Sequence, residues 1–114
     1  MNTTLDLKIL HLKTNAQNLE TWVAYDTNNH LAVGHIFMCV ENNNKIKFLD
    51  AWVHSDYRRK GIFRLLWETR WEYVKMHYKG FKVYAWCKEG SLPLLLEKEF
   101  TPGETVTYVE KIIE

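Results

Sequence analysis

Apolar and polar positions alternate along most of this chain, and the alternation gives way to a different period once, near the middle. From Leu5 to Leu12 the apolar side chains fall at Leu5, Leu7, Ile9/Leu10 and Leu12, close to the period of two of a half-buried strand. The polar stretch 14–20, TNAQNLE, is too short for more than one helical turn before the aromatic run Trp22, Val23, Tyr25. Turn-forming residues over Asp26–His30 separate that run from a strand at Leu31–Val40, and Glu41–Lys45 makes a second turn before Ile46–Val53. The second to fourth strands therefore read as an antiparallel meander.

From Gly61 to Lys79 the spacing is helical. Arg64, Glu68, Glu72, Lys75 and Lys79 share one polar face, with Ile62, Leu66 and Tyr73 opposite. Gly80 stands where such a helix stops, and Phe81–Cys87 alternates as a central strand. Ser91 is a fitting N-cap for a short apolar helix over Leu92–Phe100, with Pro93 tolerated in its first turn and Thr101-Pro102-Gly103 ending it. Glu104–Ile113 then alternates as a closing strand. The pattern predicts one α+β domain over residues 1–114, with six strands, one main helix and one short C-terminal helix.

Composition narrows what this domain can do. With 46% apolar and 25% charged residues in 114, the chain has the balance of a globular protein and the length for a single core. A net charge of +1, from 15 basic and 14 acidic side chains, gives no global attraction to nucleic acid or to an anionic membrane. Any basic site must be local. Cys39 and Cys87 lack CxxC spacing, so two free thiols in a reducing compartment are expected. No stretch approaches the roughly 18 apolar residues of a membrane span, and a soluble, cytoplasmic protein is expected. The five histidines, at 11, 30, 35, 54 and 77, show no metal-ligand spacing, and no metal is expected.

The local basic site is the segment where the period changes. A strand ends at Val53, a polar loop delivers Arg58-Arg59-Lys60-Gly61, and the helix begins at once. Consecutive backbone N–H groups from about Arg59 to Phe63 and the positive end of a helix dipole would converge where cations already stand, and Gly61 would let the backbone approach a ligand. The matching ligand is a pyrophosphate. A DNA-phosphate reader is the weaker interpretation, because the net charge is small and no helix-turn-helix pattern accompanies the loop.

The order of elements, with Arg58-Arg59-Lys60-Gly61-Ile62-Phe63 between strand and helix, resembles the GNAT superfamily of N-acetyltransferases. Its signature is Arg or Gln, two residues, Gly, one residue, then Gly or Ala, and the chain matches all but the last position. The resemblance covers nearly the whole chain and implies a mixed, mostly antiparallel sheet of six to seven strands. It implies acetyl-CoA as co-substrate, with pyrophosphate on Arg58, Arg59, Lys60, Gly61, Ile62 and Phe63. It also implies a bulged strand at Ala51, Trp52 and Val53 whose backbone takes the pantetheine arm and polarises the thioester carbonyl. Direct transfer of the acetyl group to a primary amine would follow, with no side-chain nucleophile.

Three features depart from the family. Phe63 replaces the small third residue of the signature, so its ring either joins the core or intrudes on the cofactor path. Leu95 or Leu96 stands where a tyrosine able to reprotonate the CoA thiolate would fall. The two helices that usually wall the acceptor site have no room in Lys13–Glu20. An open acceptor face suits an amine on a protein or other macromolecule; loss of catalysis, leaving a GNAT-fold module that grips or inhibits a partner protein, is the alternative, and a second copy of the chain completing the site is another.

Asp50 is a candidate base, in a stretch where burial would strengthen it, and Tyr84 a candidate acid, each weighed against a purely structural role. His54 reads as a solvated loop residue, and Cys87 has no activating partner nearby in sequence. Trp67, Trp71, Val74 and Tyr78 form a stripe on the helix flank. The core boundary is the favoured reading, and the alternative is an interface with a second subunit or a protein partner through Trp67, Trp71 and Tyr78.

Overall fold

The computed structural model describes residues 5–14, 18–86, 92–102 and 108–114. In chain order the strands are β1 (Leu7–Thr14), β2 (Leu19–Asp26), β3 (Leu31–Glu41), β4 (Lys45–Val53), β5 (Lys82–Trp86), β6 (Thr101–Pro102) and β7 (Tyr108–Ile112). Helix α1 (Ile62–His77) lies between β4 and β5, and α2 (Leu92–Glu97) between β5 and β6. The seven strands form one sheet in the order β1-β2-β3-β4-β5-β7-β6. Among the described residues only β4 and β5 pair in parallel, because the helix between them returns the chain to the same end of the sheet. This is the α+β architecture that the pattern predicts.

Strand β1 pairs with β2 from Leu7↔Asp26 to Thr14↔Leu19, which leaves residues 15–18 as the whole connection. No helix fits there, as expected. One detail differs from the expectation at the other end of the chain. Thr101 and Pro102 form a short strand opposite Glu110 and Val109, whereas the pattern gave them only as a helix stop. Residues 104–107 of the predicted closing strand, and Cys87, lie outside the described residues.

Helix α1 seats on one face of β2, β3 and β4 and buries Ile62, Leu66, Trp67, Arg70, Trp71 and Val74. They meet Trp22 and Ala24 of β2, Val33, Ile36 and Met38 of β3, Ile46 and Phe48 of β4, and Leu95 and Phe100 from the α2 region. Burying each large apolar side chain contributes about 1.5–3 kcal/mol. Trp67 and Trp71 are 2% and 4% exposed. The interface reading of the tryptophan stripe is therefore corrected: both indoles are core. The helix lies flat on the sheet and buries a face wider than the narrow stripe assumed from sequence. Tyr78, half-buried beyond the helix end, donates its hydroxyl to Glu20 Oε2 at 2.6 Å.

Gly34 sets how closely helix and sheet approach. A Cβ at this position would lie 3.0 Å from the Trp52 carbonyl oxygen and 3.2 Å from Leu66 Cδ1, closer than ordinary packing, so its neighbours would have to give by a few tenths of an ångström. That close seat brings the first turns of α1 beside the C-terminal half of β4.

Candidate functional site

The segment from His54 to Gly61 is a built loop. His54 caps a single 3-10 turn, Ser55–Tyr57, with Nδ1 accepting from the Asp56 N–H at 3.1 Å. The Tyr57 hydroxyl reaches back to Asp26 Oδ2 at 2.7 Å, where the Asn29 side-chain amide also donates at 2.8 Å. The Asn28 N–H bonds Oδ1 of the same carboxylate at 3.0 Å. Donation from Asn29, then from Tyr57, holds the Asp26 carboxyl below the ordinary aspartate range. Arg58 Nε donates to the Val53 carbonyl at 3.2 Å, tying the loop to the end of β4.

Arg59 at φ +63° and Gly61 at φ +80° both lie in the left-handed region and curl the chain on either side of Lys60. Gly61 is the N-cap of α1 and makes no side-chain cap bond, so the first helical N–H groups are not taken by a cap. A Cβ on Gly61 would meet nothing within 4 Å. Space for a ligand, orphan donors and the exposed cations Arg58, Arg59 and Lys60 coincide here.

Strand β4 supplies the second half of the site. Its pairing with β5 runs from Lys45↔Lys82 to Phe48↔Ala85, and among the described residues it stops there while β4 continues to Val53. On the other edge, Ile36 opposes Ala51 while Met38 opposes Phe48, so three steps along β4 match two along β3. A bulge with one extra residue therefore falls at Leu49–Asp50. The sequence expectation placed it at Ala51–Val53; Trp52 and Val53 are instead in regular register with His35 and Gly34. The splay opens a cavity of about 280 Å³ with Leu49, Asp50 and Ala51 on one side, Ala85 and Trp86 on the other, and Phe63, Trp67 and Leu95 around it.

Arg70 reaches this cavity from α1 and is 2% exposed. Its Nη1 donates to the Phe37 carbonyl at 2.8 Å, with a longer contact of 3.5 Å to the Leu49 carbonyl, so the guanidinium fills the bulge. The planar group lies 3.7 Å from the Phe48 ring centroid. Burial alone pushes the Arg70 pKa well down. Among the described residues it has no carboxylate partner, and its buried Nε makes no hydrogen bond. Sequence reasoning missed this residue, though a signal was present: Arg70 falls four residues after Leu66 and four before Val74, inside the apolar row that starts at Ile62.

The other named residues divide by position. Phe63 is half-buried, packs against the core and also lines the cavity, so both anticipated orientations apply to one ring. Leu95 lines the cavity and Leu96 is exposed. Ala51 borders the cavity; Trp52 and Val53 do not. Asp50 borders it too but is an exposed residue, which removes the burial invoked for a base. Tyr84 is not among the cavity residues: it sits opposite Lys47 and donates to Glu41 Oε1 at 2.6 Å, near the far end of the sheet. Among the described residues no three His, Cys, Asp or Glu side chains are placed to hold a metal ion, and no helix is long and apolar enough to cross a membrane.

Known proteins share this architecture. An acetyltransferase from Trypanosoma brucei superposes with a TM-score of 0.73 at 17% identity, covering 88% of this chain and 96% of that one. A GNAT family N-acetyltransferase from Escherichia coli, solved in complex with CoA, superposes with a TM-score of 0.73 at 12% identity, covering 100% of this chain and 85% of the other. AtaT complexed with acetyl-methionyl-tRNAfMet gives a TM-score of 0.68 at 10% identity, covering 94% and 95%. At these identities the likeness is one of fold. No curated protein sequence matches the chain significantly. The model of the acetyltransferase (GNAT) family matches residues 3–95, most of the chain including the basic loop, the bulged strand and the whole of α1, and the chain belongs to that family.

Proposed function

We propose that the protein is an acetyl-CoA-dependent N-acetyltransferase that passes the acetyl group directly to a primary amine on a protein or other macromolecule. The observation that carries this reading is the splay between β4 and β5, which places the backbone of Leu49–Ala51 along one wall of a cavity. Arg58, Arg59, Lys60 and the N–H groups from Gly61 to Phe63 bind the pyrophosphate. The pantetheine arm runs along β4 towards the bulge, and a backbone N–H there receives the thioester oxygen as it gains charge. Asp50, exposed on the bulge, meets the incoming amine and takes its proton. Solved relatives of the same fold bound to CoA and to an acetylated tRNA support both the donor and a large acceptor.

Chemistry at the cavity follows from its walls. Leu95 offers no proton to the departing thiolate, so the proton comes from solvent or from the amine itself. The β1–β2 connection is too short for the two helices that wall the acceptor site in the family it resembles, which suits an acceptor too large for a closed pocket.

Titration calorimetry with acetyl-CoA on the intact chain tests the reading. Saturable binding is expected, and Gly61→Val should abolish it by forcing a β-branched residue into a left-handed conformation over the phosphate site. No heat of binding at about millimolar ligand, a ceiling for any useful affinity, would remove the enzyme. Binding with no acetyl transfer to any amine, followed by mass spectrometry, favours the second reading: a GNAT-fold module that grips or inhibits a partner. Leu95 in the cavity is the observation on that side.

A further inference from the structure

Arg70 lines the cavity, and neither the pyrophosphate loop nor acetyl transfer uses it. A guanidinium buried without a carboxylate is costly, because desolvation disfavours the charge and neutral carbonyls return only part of the lost hydration. Its two edges are unequal. Nη1, on the Cδ side, is occupied by the Phe37 and Leu49 carbonyls. The opposite edge, where the Nε and Nη2 N–H bonds run parallel, makes no hydrogen bond among the described residues. That parallel pair is the edge a carboxylate grips with both oxygens.

The surroundings fit an anionic, partly apolar occupant. Phe48 and Trp67 flank the guanidinium at 3.7 and 5.4 Å from its carbon to the ring centroids, while Phe63 and Leu95 supply hydrocarbon wall. At about 280 Å³ the cavity has room for acyl atoms beyond a two-carbon group. The other charged residue on it, Asp50, is exposed, whereas Arg70 is buried, so negative and positive groups occupy outer and inner positions.

We propose that the donor site takes acyl-CoA thioesters whose acyl chain ends in a carboxylate, of the succinyl class, with Arg70 as the residue that recognises that carboxylate. The inference rests on the acyltransferase reading above and widens its donor beyond acetyl. The step keeps the same balance. The neutral amine nitrogen bonds to the thioester carbonyl carbon, the C–S bond breaks, and sulfur leaves with the electron pair as CoA thiolate. The proton lost by nitrogen passes to Asp50 or water, and the product amide carries a free carboxylate. Modification then converts one positive charge on the acceptor to one negative charge, where acetylation would only neutralise it.

The test compares succinyl-CoA with butyryl-CoA, which has the same chain length and no terminal charge, and includes CoA alone. Calorimetry on the wild-type chain should give succinyl-CoA about a tenfold or greater advantage, the effect of one charge-assisted bidentate contact. In Arg70→Gln that ratio should fall to about one. Arg70→Lys, which keeps the charge and loses the fork, should fall between. Equal wild-type affinities for the two thioesters would overturn the proposal without recourse to any variant, as would an unchanged ratio in a folded Arg70→Gln. Failure of CoA itself to bind would instead strike the acyltransferase reading, and this proposal with it.

Discussion

The Tyr57 hydroxyl donates to Asp26 Oδ2 at 2.7 Å and so ties the turn that opens the basic loop to the end of β2. The two residues are thirty-one positions apart, and neither is among the groups assigned to the ligand. Tyr57→Phe should therefore act through order in the loop. It should lower Tm by about 5 °C, the effect of losing one bond to a charged acceptor in a domain of this size. CoA affinity should fall about threefold, because the loop must then be ordered on binding. A thermal melt and a calorimetric titration of the variant check both; an unchanged Tm would mean that the bond holds nothing.

Asp26 makes the same junction sensitive to acid. Its folded pKa lies below the ordinary aspartate value, so its contribution to stability is fully present above the unfolded pKa and is lost as pH falls through the lower folded value. Wild-type protein and Asp26→Asn should differ fully at about pH 6, and the gap should begin to narrow only below about pH 4, the unfolded range of aspartate, closing as the pH falls through the lower folded value. Urea midpoints measured across that interval test the sign. A gap that widens on acidification would contradict it.

Gly34 predicts a packing penalty. A methyl there meets the Trp52 carbonyl, which is backbone and cannot swing away, as well as Leu66. Gly34→Ala should cost about 1–3 kcal/mol, as other overpacked core sites do. The displaced helix would also shift Gly61 and Arg70 relative to β4, so CoA binding should weaken together with stability. Chemical denaturation paired with titration distinguishes this from a purely local strain, which would leave affinity intact.

Lys60 and its arginine neighbours should act through charge. All three side chains are exposed, so Lys60→Ala should weaken CoA binding by about twofold to fivefold at low salt and by less at about 0.5 M, where the screening length is a few ångströms. Affinity measured over a salt series provides the check. A salt-independent loss would point to a structural effect of the substitution.

Much of this architecture was legible because period-two alternation in β2 to β5 reports directly on which face meets a core. The passage from β4 to α1 was legible for a similar reason, since the period changes there from that of a strand to that of a helix. Asp50 and the bulge were placed imperfectly: a bulge is defined by the partner strand, and β4 alone does not reveal that Ile36 and Met38 span three of its steps. That Tyr84 stands away from the cavity was not legible, because a sequence names a residue's strand but not where along the sheet it falls. Its partner Glu41 shows how far along the sheet it stands. Trp67 and Trp71 lay on the margin of a helical wheel that ignores how wide a sheet is. Arg70 was overlooked as one more cation in a charged helix, although its neighbours at four-residue spacing are all apolar.

The departure of β4 from β5 after Phe48 has a consequence for the protein as a material. The sheet carries an edge inside its own fold, and a molecule lying in the gap would stand in for a strand that the chain does not supply there. Occupancy and cohesion then become one quantity: filling the gap should raise the melting temperature in step with the logarithm of ligand concentration. The two wings of the sheet, whose ladder among the described residues runs along Lys45–Phe48, would be riveted at a second point by that molecule.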